Sequence, residues 1–204
     1  ARAGKSAAIT CPDVRWSAPA APGELRARAL AQLGNTWLSN YEQAETFFRR
    51  SLAIAAEDPE NDWQMTAALG LHSVALMRGD VATALAMAHD VVSRMRASAD
   101  PAALAQALLV LGHTLEWTGR FAEALAPLDE SIVLSEQIGD IAGVAWARRI
   151  QGLALLALDR TVQSEAQFRT AMTEFEQVGE HVMIGFCQLD LARMVLHTHQ
   201  TAQT

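Results

Sequence analysis

The chain has 204 residues, half of them hydrophobic, with a net charge of -7 and an isoelectric point near 5.3. No stretch approaches the ~20 apolar residues of a membrane span, and an acidic balance without a Lys/Arg cluster lacks the electrostatic footprint of a nucleic-acid binder. Cys11 and Cys187 provide neither a disulfide framework nor metal-ligand spacing, so a reducing cytoplasm is expected. With no initiator Met, signal peptide or lipidation motif, the sequence reads as a piece of a longer chain.

Residues 1–22 read as an N-terminal extension or linker, with Pro12, Pro19, Pro22 and a lone Trp16 expected to pack over the first helix. Gly4-Lys5-Ser6 matches only the end of a phosphate-binding loop. It lacks the earlier glycine and runs into Thr10-Cys11-Pro12 instead of a helix, so no nucleotide site is assigned. From 23 to 204 the apolar residues recur at i, i+3, i+4 spacing and predict helices in pairs.

The first pair covers 23–40 and 41–57 and ends at Asp58-Pro59, because proline cannot extend a helix and restrains the residue before it. The second covers 62–78 and 81–98, with Gly79 as the stop and Asp80 as the next N-cap. The third covers 101–118 and 121–138. Asp100-Pro101 opens it as an N-cap followed by proline at the first helical position, and Pro127 predicts a bend in its second helix. The fourth covers 141–158 and 161–178, bounded by Asp140 and Gly179, and a ninth helix at 181–197 has no partner.

Register shows that these pairs are copies. Ala44, Ala84, Ala124 and Ser164 are spaced by 40, and Phe48, Ala88, Leu128 and Phe168 follow four residues later. In the first helices the series Leu71, Leu111, Gln151, Leu191 is followed by His72, Gly112, Gly152, Ala192. A small residue is required where two helix axes approach to ~8–10 Å. The first unit departs, since Gly34 lies ten residues before Ala44 and Gly112 twelve before Ala124. The fold class is therefore all-α, a right-handed solenoid of antiparallel helix pairs with about nine helices: four full repeats and a C-terminal capping helix.

No catalytic constellation accompanies the Ser, His and Asp residues: there is no Gly-x-Ser-x-Gly elbow, His-Glu-x-x-His or glycine-rich phosphate loop. His197 and His199 sit near the C-terminus without a third ligand, and His72 occupies a packing position. No enzyme activity, cofactor or metal is expected.

Leu111-Gly112-x-x-Leu115 followed by Ala124-x-x-x-Leu128, and Gly152-x-x-Leu155 followed by Ser164-x-x-x-Phe168, resemble the tetratricopeptide signature. The usual Trp early in each first helix is replaced by Leu108 and Arg148, and the period of 40 exceeds the usual 34. This longer variety is similar to the repeats of bacterial signal-transduction ATPases and maltose-regulator-type transcriptional activators. The resemblance implies a protein-interaction or sensor module whose first helices line a concave groove. In that geometry His113, Glu116, Trp117, Trp146, Arg149 and Arg193 face the groove, with Leu153, Phe186 and Leu189 beside them. Trp117, Trp146 and Arg149 are the expected binding residues, because aromatic and Arg side chains dominate interfaces; the two tryptophans fit inter-repeat packing equally well.

The carboxylate clamp of some such domains is missing. Leu69, Leu109 and Arg149 stand at one of its positions and Ser73, His113 and Leu153 at the next. The expected partner is a hydrophobic or mixed peptide, a small effector or another domain of the parent chain, with no nucleic acid and no membrane. The alternative is a homodimer through the apolar C-terminal helix.

Overall fold

The computed structural model describes residues 29–34, 40–55 and 63–201, without the side chains of 55, 63–65, 197 and 199–201. The extension at 1–22, with Trp16 and Gly4-Lys5-Ser6, most of the first helix, the Asp58-Pro59 break and the side chains of His197 and His199 lie outside the described residues.

Nine helical segments and no strand occur among the described residues: residues 29–34 (α1), then α2 Tyr41–Ala55, α3 Trp63–Met77, α4 Val81–Ser98, α5 Pro101–Trp117, α6 Phe121–Ile138, α7 Ile141–Ala157, α8 Thr161–Val178 and α9 His181–Thr201. The last runs beyond the expected 197, and α6 continues unbroken through Pro127. Each helix packs on the next, and α3, α5, α7 and α9 also touch in sequence to form an inner row. Pairs that bury one face against the next pair make an all-α helical-repeat solenoid.

Local chemistry explains the boundaries. Asp80 accepts from Thr83 N at 3.1 Å, Asp100 from Ala102 N at 2.9 Å and Asp140 from Gly143 N at 2.9 Å, each satisfying an amide that the first turn leaves open. The turns require a left-handed residue at two places in the repeat. One is filled by Gly79, Gly119 and Asp159, the other by Ala99, Gly139 and Gly179. Ala99, at φ 55°, is the least suited, because its Cβ there costs about 1–2 kcal/mol.

The recurring small residues seat the partner helix. A Cβ on Gly112 would lie 2.5 Å from Leu128 Cγ, and one on Gly152 would lie 2.6 Å from Phe168 Cε1. Gly34 meets Phe48 in the same way, at 2.7 Å, so the first unit keeps the packing with a connection two residues shorter. The second unit inverts the sizes: His72 replaces the glycine where Ala88 replaces Leu128 or Phe168. Buried serines reinforce the seats, with Ser131 Oγ donating to Ala105 O and Ser164 Oγ to Gly152 O, both at 2.8 Å.

Candidate partner-binding face

The inner row carries the candidate residues. On α5, His113 stands one turn before Trp117, and their rings meet edge to face with centroids 6.0 Å apart. Trp117 is 66% exposed, an unusual position for the largest apolar side chain. On α7, Trp146 packs edge to face on buried Phe175 of α8, with centroids 5.9 Å apart, and keeps 38% of its surface exposed. It is thus wedged at the α7–α8 seam while also facing solvent. On α9, Phe186 is 45% and Leu189 49% exposed.

Arg149 is held differently. Its side chain is 15% exposed, and Nη2 lies 2.8 Å from Oδ2 of Asp190, a residue only 1% exposed. The approach is a charge contact outside hydrogen-bond alignment, and buried Arg149 Nε has no partner. The guanidinium carbon lies 5.3 Å from the Phe186 ring centroid, in cation–π range. Arg193, whose side chain is 67% exposed, reaches Asp190 Oδ1 only to 3.9 Å. Arg149 is thus occupied within the fold, and Arg193 is the more accessible cation.

Beneath this face runs a line of polar groups. His72 Nε2 lies 2.7 Å from Thr114 Oγ1, and the threonine hydroxyl donates to Val110 O at 2.7 Å. A hydroxyl with its one proton committed accepts from the histidine, so His72 carries its proton on Nε2. Burial, then the neighbouring His113, lower the His72 pKa to about 4. His113 is also lowered, by burial and then by Arg149. Burial raises the Glu116 carboxyl above its ordinary range, against the pull of Arg149, with Asp190 adding to the rise. Burial likewise raises Asp190, against Arg149 and Arg193. Cys187 is pushed up to about 11 by burial, so its thiol is inert.

Arg149 and Arg193 therefore meet Asp190, Glu116 lies near that pair, His113 lies near Arg149 with Trp117 beside it, and Trp146 sits at the seam with α8. Sequence reasoning misses Asp190. Its signal was legible, because it falls on the apolar stripe of Met183, Cys187 and Met194, where a lone carboxylate demands a partner. Arg148, in place of the tetratricopeptide Trp, has an equally structural role, binding Glu136 at 2.6 Å and Glu174 at 3.1 Å to tie α7 to α6 and α8. A cavity of about 290 Å³ lined by Asp129, Gln151 and Gln167 lies among α6, α7 and α8, apart from the polar line.

No group of three or more His, Cys, Asp or Glu is arranged to hold a metal among the described residues. Among the same residues no helix is long and apolar enough to cross a membrane. Residues 104–138, the α5–α6 hairpin, match the family described as Tetratricopeptide repeat. No curated protein matches the chain. That hairpin is TPR-like, and repeats of this family generally mediate protein–protein interaction.

Proposed function

We propose that this chain is a non-catalytic scaffold that docks a peptide, or a domain of its parent protein, across the exposed side of the inner row, within a larger bacterial cytoplasmic regulator. The observation that carries the reading is Trp117, two-thirds exposed and steadied by His113 on the row. Trp146, Phe186 and Leu189 extend an apolar surface across α7 and α9, and Arg193 supplies one accessible cation. Exposed aromatics held on rigid helices lose little entropy on binding and bring large contact area, which is how a few residues dominate an interface. A hydrophobic peptide with an acidic flank suits this surface. The regulatory setting rests on the resemblance of the long repeats to those of bacterial signal-transduction ATPases and maltose-regulator-type activators.

Selection of a displayed random-peptide library on the chain tests this. Selected peptides are expected to be apolar, and to bind Trp117→Ala about 10- to 30-fold more weakly, as for loss of a dominant interface aromatic. The urea midpoint of the variant should be unchanged. Equal affinity of the selected peptides for both proteins would overturn the reading.

A further inference from the structure

The 40-residue register allows α9 to be compared, position by position, with α5 and α7. One stripe of α5 consists of Ala105, Leu108, Gly112 and Leu115, all buried. The same stripe of α7 is Ala145, Arg148, Gly152 and Leu155, of which Arg148 alone is partly exposed. In each case the following second helix covers it. Leu128 of α6 presses on Gly112 and Ser131 caps the Ala105 carbonyl; Phe168 of α8 presses on Gly152 and Glu174 holds Arg148. The corresponding stripe of α9 is Gly185, Gln188, Ala192 and Val195, and all four residues are exposed. Nothing lies within 4 Å of a Cβ built on Gly185, Val195 is 48% exposed, and Leu196 beside it is 63% exposed.

The opposite side of α9 is complete. Met183, Cys187, Asp190 and Met194 are buried there, and the helix packs on α8 and α7. Thus α9 has the row neighbour and the preceding second helix that α5 and α7 have, while among the described residues no second helix covers the third side. The open stripe continues an interface already made twice in this molecule, with small residues at the same crossing points and an apolar residue at the same end. Its one polar member, Gln188, is uncharged.

We infer that this face of α9 is a docking seat for one amphipathic helix of the kind that α6 and α8 supply in the preceding pairs. That occupant carries Ala or Ser at the crossing point and Leu or Phe four residues later, as in Ala124-x-x-x-Leu128 and Ser164-x-x-x-Phe168. The small residue lets the axes approach, and the large one lies over Ala192 as Phe168 lies over Gly152. The seat is separate from the Trp117 face and stands whether or not that face binds a peptide.

The test uses the sequence of α8 as the probe. A synthetic peptide of residues 161–178 is titrated into the isotopically labelled chain, and amide shifts are followed. Because a lone helix of this length is marginal in water, the same segment is also tethered after Thr204 by a flexible Gly/Ser linker, which supplies an effective concentration in the millimolar range. Saturable shifts at Gly185, Gln188, Ala192 and Val195 are expected, with slowed amide exchange there in the tethered protein. Ala192→Leu, a substitution at an exposed position that leaves the fold intact, should weaken binding at least tenfold. Trp117→Ala should leave it unchanged. Shifts centred on the inner row, or no protection in the tethered protein, would overturn the proposal. So would a concentration-dependent dimer that Ala192→Leu dissociates, since the occupant would then be a second copy of the chain.

Discussion

The contact between α3 and α5 and the contact between α7 and α9 occupy the same inner row, yet they bury different chemistry. The first joins neutral groups, His72 and Thr114, at 2.7 Å. The second joins a guanidinium to a carboxylate, Arg149 to Asp190, at 2.8 Å. A neutral donor and acceptor lose little on leaving water if they find each other. A charge pair loses several kcal/mol of hydration per ion and is safe only while both members are present. Two junctions in the same row should therefore fail in different ways.

The largest expected effect is at the charged junction. Arg149→Ala strands a carboxylate that is 1% exposed and should cost about 3–5 kcal/mol in urea denaturation. Asp190→Ala should cost less, because the longer arginine can swing toward water and Asp190 cannot. The double variant Arg149→Met with Asp190→Leu should recover most of the loss. A double variant no better than Arg149→Ala would show that the pair's geometry, and not its charge, joins α7 to α9.

Acid should distinguish the junctions next. The folded pKa of His72, about 4, lies below the ordinary 6.5, so the unfolded chain takes up the proton first. The stabilisation is complete above pH 6.5 and is lost as the pH falls toward 4, by about 3 kcal/mol in all. His113, also lowered, acts in the same direction. Asp190 has the opposite sign: its raised pKa gives a contribution that is full at low pH and lost as the pH rises through the folded value. A His72→Gln variant should therefore show a shallower decline in stability between pH 6.5 and 4 than the parent. An unchanged slope would place the acid sensitivity elsewhere.

Smaller effects sharpen the contrast. Thr114→Val leaves the His72 Nε2–H without an acceptor and should cost about 1–3 kcal/mol, with no increase at high salt. Arg193→Ala removes a largely exposed cation 3.9 Å from Asp190 and should change stability by no more than about 0.5 kcal/mol. A larger loss would mean that Arg193 shares the task of neutralising Asp190.

The same contrast separates what was legible beforehand from what was not. His72 could be assigned to packing because it falls in the series with Gly112, Gly152 and Ala192, a pattern that needs no knowledge of its partner. The family's repeat geometry places Arg149 in the groove, and in the structure its side chain is mostly buried against Asp190. Trp117 is exposed, while Trp146 divides its surface between Phe175 and solvent. Trp117 closes α5 and Trp146 lies in the second turn of α7, and neither position by itself names a partner. The difference lies in what the neighbouring helix places opposite them.

Helix boundaries, caps, turn residues and the 40-residue copying were determined by the sequence itself, because each depends on side chains within a turn or two of one another or on a repeat that spacing reveals directly. Asp140 caps through an amide three residues on, and Gly139 turns the chain where it stands. Only the tertiary structure decided which polar groups satisfy each other, since Arg149 and Asp190, or His72 and Thr114, come from helices about 40 residues apart. It also decided which stripe of α9 stays uncovered. Burial, and with it the energetic weight of a charge or an apolar face, is a property of the assembled neighbours and not of the segment that carries it.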